Sequence, residues 1–312
     1  MKKISGYIAL LLVIGILSAC GADQNKSSDE EGKLTIYTTV FPLTDFTKRI
    51  GGEDVIVNSV YPPGADAHTF EPTPKDMTEI ASADAFIYTG IGVEAFVSSA
   101  KKTLENEEVA LIEAGSGIEF MNVEDDTHHH DDEEDHQHGD IDPHIWLDPV
   151  YSIQIAENIK NALTELNPSN QDVYEENFNV LKGQLEELNT EFMEVANSAK
   201  RKEILVAHSA YGYWEARYGI KQISITGFSP SNEPSQKELT TIIESVKEQN
   251  LEYILFEQNI SSKIAETVQK ETGTKSLTLH NLEALTEQEI EDNKDYFSLM
   301  TQNLDTLKRA LN

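Results

Sequence analysis

Nine histidines and a single cysteine hold most of the metal-binding and nucleophilic chemistry available to this 312-residue chain. Five of the histidines, His128, His129, His130, His136 and His138, sit in one acidic run, residues 122–140. The other four, His68, His144, His208 and His280, are scattered. His68 lies in YPPGADAHTFEP just past an expected strand. His144 lies in a loop containing Pro and Trp before an expected helix. His208 directly follows the apolar run ILVA. In open α/β sheets, ligands bind outside the carboxyl ends of strands, so these three positions are suited to converge. Neutral imidazole suits zinc, copper and nickel, and carboxylates suit harder ions such as manganese. Three His and one carboxylate complete a tetrahedral zinc site, and the fourth ligand is expected from His280-Asn281-Leu282-Glu283. One Cys permits neither an intrachain disulfide nor a Cys-built zinc finger, so a metal site here has to use His and carboxylates.

The elements that must position these residues follow from patterning. Strands are expected at 33–40, 54–61, 85–88 and 109–112, with helices at 45–50 and 76–81 among them. A second block has strands at 203–207, 220–225, 253–256 and 276–279, with helices at 236–249, 262–272 and 295–310. Strands alternating with helices indicate parallel α/β layers. Between the blocks a helix is expected at 151–166, Pro168 punctuates, and apolar residues including Val173, Phe178, Leu181, Leu185, Leu188, Phe192 and Val195 recur at helical spacing within 170–202. That stretch is long enough to run the length of a two-lobed protein, and its stripe is read as packing against the lobes, not as a dimer seam, so a monomer is expected. The fold class is thus α/β, with two lobes, each a mostly parallel sheet flanked by helices, joined by one long rigid helix. The expected boundaries are 33–167, 168–202 and 203–312.

Charge narrows the function classes. Fifty-five Asp and Glu against 24 Lys and Arg give a formal charge of −31. That excludes a general nucleic-acid partner, because phosphate contacts need basic patches, and excludes basic-patch adsorption on anionic lipid. No P-loop occurs, so ATP hydrolysis must lie in another chain. Gly90-Ile91-Gly92 follows a strand without the rest of a dinucleotide fingerprint and reads as a turn. The N-terminus opens Met1-Lys2-Lys3, runs apolar over 8–17 and ends Leu17-Ser18-Ala19-Cys20-Gly21. The apolar run is too short to span a bilayer and has signal-peptide length. Its end resembles the bacterial lipobox, which implies a signal peptide over 1–19, a lipid on Cys20 anchoring the chain outside the cytoplasm, and a flexible polar tether over 20–32. Losing Lys2 and Lys3 makes the charge −33.

Five motifs in fixed order, YPPGADAHTFEPTPKDM (61–77), DPHIWLDP (142–149), LVAHSAYGYW (205–214), GFSPSNEPS (227–235) and DYFSLMTQNLDTL (295–307), resemble the metal-binding receptors of zinc and manganese ABC importers. The resemblance spans nearly all of 33–312. It implies two α/β lobes held by one long helix, and metal ligands His68, His144, His208 and Glu283, with His280 as the alternative fourth ligand. It also implies a membrane permease and a separate ATPase subunit as partners. The acidic His-rich loop resembles the zinc branch, and His208 stands where the manganese branch usually has a carboxylate. Zn²⁺ is the expected transported ligand, with Mn²⁺ the alternative. No enzymatic activity is expected; a surface adhesin and a zinc hydrolase are the rival readings. Asp142, Asp148, Glu71 and Glu257 are candidates to orient the imidazoles, and Trp146 and Trp214 are expected to pack the lobe interface. The His-rich loop is read as an exposed segment with weak, exchanging zinc sites and a collecting or sensing role. Deleting residues 125–138 is expected to lower zinc uptake under scarcity while leaving one zinc bound per chain; unchanged uptake would remove the collecting role.

Overall fold

The computed structural model describes residues 32–119, 141–258 and 262–312. The expected signal peptide, Cys20, nearly all of the tether and the five loop histidines lie outside the described residues. Strands β1 (Leu34–Thr38), β2 (Val55–Ser59), β3 (Ala85–Tyr88) and β4 (Ala110–Glu113) form an all-parallel sheet in the order β2-β1-β3-β4. Strands β5 (Glu203–His208), β6 (Lys221–Thr226), β7 (Tyr253–Phe256) and β8 (Lys275–Thr278) form a second parallel sheet in the order β6-β5-β7-β8. The two orders are the same when each sheet is numbered from its first strand. No sequence repeat announces this, because only the alternation of apolar strands and helices is shared. The strand expected at 203–207 extends one residue and ends on His208 itself.

The helices of the first lobe are α1 (Phe41–Gly51), α2 (Pro74–Ala81), α3 (Val97–Leu104) and α4 (Pro149–Leu166). Three of them carry Pro in the first turn, where its missing N–H costs nothing. The long helix α5 is Gln171–Ser198, 28 residues and about 42 Å at 1.5 Å per residue. It stops short of the expected Lys202 because Ala199 turns extended and the N–H groups of Lys200 and Arg201 donate to Leu311 O. Its buried stripe is Tyr174, Phe178, Leu181, Leu185, Leu188, Phe192 and Val195, alternating steps of four and three; Val173, expected in the stripe, is 48% exposed. The second lobe adds α6 (Gly212–Tyr218), α7 (Gln236–Glu248), α8 (Lys263–Thr272), α9 (Glu287–Glu291) and α10 (Tyr296–Ala310). Ser235 and Asp295, each with its partner three residues on, close capping boxes on α7 and α10, which satisfy otherwise orphaned N–H groups. Helices α3, α6 and α9 have no counterpart in the patterning read above; each is eight residues or fewer.

The core explains how the lobes are held. Strand β5 sends Ile204 and Val206 to one face and Leu205 and Ala207 to the other, as the two-residue strand period requires. Leu205 and Ala207 join Ile225, Ile242, Val246, Ile254, Ala265 and Val268 in a small core on the outer face of the second sheet. Ile204 and Val206 join a continuous core that also contains Ile36, Phe46 and Phe86 of the first lobe, Phe192 of α5, and Trp146, Trp214 and Tyr296. Helix α5 packs on α4, α1, α6 and α10, so it is embedded along both lobes. As expected for interface packing, Trp146 Nε1 donates to Asn281 O at 2.7 Å and Trp214 Nε1 to Leu147 O at 2.8 Å, each across the lobes. With one core shared by both sheets, unfolding is expected to be a single cooperative transition. Tryptophan fluorescence and far-UV circular dichroism should give one midpoint, and Phe192→Ala should lower the unfolding free energy by about 3–5 kcal/mol with the two probes still coinciding. Two separate transitions would show independent lobes.

Candidate metal centre

Four side chains from four segments meet between the sheets: His68, from the segment between β2 and α2; His144, from the segment before α4; His208, the last residue of β5; and Glu283, from the segment after β8. Three are presented by the same local device. Asp66 Oδ1 accepts from His68 N at 2.9 Å, Asp142 Oδ1 from His144 N at 2.9 Å, and Asn281 Oδ1 from Glu283 N at 3.1 Å. In each case an Asp or Asn two residues ahead closes an Asx turn on the ligand's own backbone. Asp66 and Asn281 were not singled out from sequence. The signal that finds them is the threefold recurrence of Asx-x-ligand in Asp66-Ala67-His68, Asp142-Pro143-His144 and Asn281-Leu282-Glu283. Ahead of Glu283 the backbone is also strained. Leu282 sits at φ 59°, a conformation costing an L-residue of its bulk about 1–2 kcal/mol. It is held there by its N–H donating to His280 Nδ1 and by burial of its side chain.

His144 Nε2 lies 3.2 Å from His68 Nε2 and 3.3 Å from His208 Nε2. Glu283 Oε1 lies 3.4, 3.8 and 4.0 Å from the Nε2 atoms of His68, His144 and His208. A tetrahedral zinc with ligands at about 2.0–2.1 Å has ligand–ligand edges of about 3.3 Å, so the shortest separations match such an edge and the longest exceed it modestly. Glu283 Oε1 is buried and accepts no regular hydrogen bond, which is the orphaned acceptor that a cation would satisfy. The side chains of His144, His208 and Glu283 are essentially inaccessible, and that of His68 is 8% exposed.

The outer atoms of the imidazoles decide which inner atoms are free. His144 Nδ1 lies 2.7 Å from Asp142 Oδ1, and Asp142 Oδ2 accepts from Gly212 N. His208 Nδ1 lies 2.6 Å from Glu257 Oε1, off the line of a straight hydrogen bond. A carboxylate on Nδ1 places the proton there and leaves the Nε2 lone pair for a metal. Burial, the strongest influence on His144, pulls its pKa below the ordinary imidazole value, opposed by Asp142 and reinforced by His208 and His68. Burial also acts downward on His208, but Glu257, Glu283 and Asp142 outweigh it and raise the pKa. Burial acts upward on Glu283, yet His68, His208 and His144 hold it down to about 2. Burial thus favours the neutral form of His144, the imidazoles around Glu283 favour its ionised form, and the carboxylates around His208 favour its protonated form.

His280 is built for a different task. Its Nδ1 accepts a hydrogen bond from Leu282 N at 2.8 Å, its Nε2 lies 3.2 Å from Glu289 Oε1, and its backbone exchanges hydrogen bonds with the Asn303 amide. With Nδ1 an acceptor, the proton sits on Nε2 and faces Glu289, so no lone pair is left for a metal. Of the four candidate orienting carboxylates, Asp142 and Glu257 meet imidazoles. Asp148 instead caps α4 and pairs with Arg217 at 2.5 Å, because its position at the helix start commits its oxygens to N–H groups. Glu71 is exposed.

A family model described as zinc-uptake complex component A, periplasmic (ZnuA) matches residues 36–310. The zinc-binding protein AdcA of Streptococcus pyogenes is 36% identical over 318 residues, an overlap taking in 99% of this chain and 61% of AdcA. The chain therefore spans about three fifths of the length of that relative. The high-affinity zinc uptake system protein ZnuA of Bacillus subtilis is 36% identical over 313 residues, covering 99% of this chain and 98% of its own. Among solved structures, the Zn(II)-bound ZnuA-like domain of Streptococcus pneumoniae AdcA superposes with a TM-score of 0.75 at 33% identity, over 90% of this chain and 99% of that one. The laminin-binding protein Lmb of Streptococcus agalactiae, described as bifunctional with adhesin and metal-transporting activity, superposes at 0.78 with 30% identity, over 89% and 100%. Since the matched span takes in both sheets and all four converging side chains, the chain belongs to the ZnuA family of zinc-uptake component A proteins.

Proposed function

We propose that this chain is an extracytoplasmic zinc receptor. It takes one Zn²⁺ between its lobes on His68, His144, His208 and Glu283 and delivers it to the permease of an ABC importer driven by a separate ATPase subunit. A lipid on Cys20 anchors it at the membrane. The observation that carries this reading is the convergence of three Nε2 atoms and Glu283 Oε1 at tetrahedral spacing in a buried site. Three imidazoles and one carboxylate suit zinc better than manganese, which favours all-oxygen surroundings. A zinc hydrolase keeps one coordination position for water; here Glu283 fills it. The zinc-binding names of the relatives support the same ion.

His68 is the natural point of entry and exit, since it alone of the four reaches solvent. The rest of the centre stands on β5, on the segment ahead of α4 and on the strapped Glu283 segment, all fixed to the shared core.

Metal analysis of protein purified without added metal is expected to give one zinc per chain. His208→Ala should lose more than the roughly 10–100-fold in affinity that removing an orienting partner costs, and full retention would overturn the assignment of that ligand. Protons compete for the same lone pairs. His208 has a raised pKa, so the competing proton is bound below that pKa and gone above it. Zinc affinity should therefore rise with pH through and above the ordinary imidazole value of about 6.5 and level off once His208 is neutral. Calorimetry in buffers of different ionisation enthalpy should show about one proton released on binding near neutrality; affinity independent of pH over that range would exclude a three-histidine site.

A further inference from the structure

Asn281 is 1% exposed; it lies in the segment that carries Glu283 and touches the segment that carries His144 and the carboxylate that stands behind His208. Its Nδ2 donates to Glu257 Oε2 at 3.1 Å, its Oδ1 accepts from Glu283 N at 3.1 Å, and its carbonyl O accepts from Trp146 Nε1 at 2.7 Å. The other oxygen of Glu257, Oε1, is the atom beside His208 Nδ1, and it also accepts from Tyr211 Oη at 3.3 Å. Trp146 follows His144 by two residues, and its ring stands edge-on to that imidazole with centroids 5.4 Å apart.

The residue types at the three Asx turns differ for a reason that lies on their second arm. Asp142 faces N–H groups, the Nδ1–H of His144 and the N–H of Gly212, so a side chain that only accepts serves both. Asn281 faces a carboxylate. A carboxylate at 281 would set two anions 3.1 Å apart in a buried place, whereas the amide accepts on one side and donates on the other. We propose that Asn281 is a positioning residue of the zinc site: it fixes Glu283 through the turn and His208 through Glu257, so that both ligands face one point. The proposal rests on the zinc-receptor reading.

Removing the amide leaves Glu257 Oε2 without this donor, and the carboxylate then has less to hold Oε1 beside His208. Two substitutions separate the arms. In Asn281→Ser the hydroxyl can still close the turn on Glu283 N, as Ser does more weakly than Asn, but is too short for Glu257. Asn281→Leu keeps the volume and removes both arms. Zinc affinity of the full chain is measured by chelator competition for wild type, both variants, Glu257→Gln and the double variant Asn281→Leu/Glu257→Gln. Both Asn281 variants should bind zinc about 10–100-fold more weakly, the range for lost orienting partners. The double variant should lose clearly less than the product of the single losses, because one chain of contacts is broken twice. Cobalt-substituted Asn281→Ser should also show weaker four-coordinate visible bands than wild type, a change that a purely structural role would not produce. Wild type and His208→Ala run in the same assay keep the two readings apart. If wild type binds no zinc, or His208→Ala binds as well as wild type, the receptor reading fails. If those two behave as expected but Asn281→Ser and Asn281→Leu bind within about twofold of wild type, or the double loss equals the product, the positioning role alone fails.

Discussion

Everything in this molecule turns on holding electron-rich atoms together with no donor between them. Three imidazole nitrogens and a carboxylate oxygen lie 3.2–4.0 Å apart at the closest approaches to His144 and Glu283, in a place almost closed to water. Left to themselves, such groups would turn away or take up protons, since a buried acceptor without a partner costs about 1–3 kcal/mol. The surrounding structure prevents the first escape. Asp142 and Glu257 hold His144 and His208 from behind, the backbone N–H of Ala67 binds Glu283 Oε2 at 3.0 Å, and Phe41 N donates to Glu283 O. The second escape is the uptake of a proton, which Glu257, Glu283 and Asp142 favour at His208 by raising its pKa against the opposing effect of burial. A zinc ion bound as proposed would compete with such a proton and satisfy all four atoms together.

Precision of this kind needs a rigid frame, and the shared core supplies it. Trp146, Trp214 and Tyr296 are each fully buried, and their polar atoms all tie to the segment between His144 and α4 or to the Asn281 carbonyl. The His144 and Glu283 segments are thereby bolted to each other across the sheets. The long helix sends its stripe into the same core, so lobe separation would expose large apolar side chains at about 25 cal/mol per Å². The segment carrying His68 is joined to the same frame through Ala67 N on Glu283 Oε2 and Gly64 N on Leu285 O.

Much of the fold was legible because it depends on periodicity. Of the eight strands among the described residues, six fall within one or two residues of expectation, and Ala85–Tyr88 and Tyr253–Phe256 coincide with it. Short elements such as Gly212–Tyr218 escaped, since seven residues offer barely two turns of pattern and this helix begins with Gly followed by two aromatics. The four converging side chains were legible through strand ends and motif order. What distinguishes Glu283 from His280 was not, because both lie in one loop. The difference is a backbone matter: the left-handed Leu282 turns its N–H onto His280 Nδ1 and thereby spends the lone pair a metal would need. Likewise Asp148 looked as available to an imidazole as Asp142, until the start of α4 claimed it.

Charge acts on two scales here, and only one of them selects the ion. A formal −31 raises the concentration of every cation near the surface, but its reach is limited to a Debye length of about 8 Å at physiological salt, and it cannot tell zinc from magnesium. The centre itself holds three buried carboxylates, Asp142, Glu257 and Glu283, against three imidazoles. A divalent ion brings two positive charges to that set, whereas a proton brings one. The local deficit thus favours a double charge over a proton, while the geometry of Nε2 lone pairs, fixed by Asp142 and Glu257, rejects ions that require oxygen. Attraction comes from the composition of the whole chain and selection from which atom of each imidazole carries the hydrogen, which is why the orienting residues matter to the choice of metal as much as the ligands do.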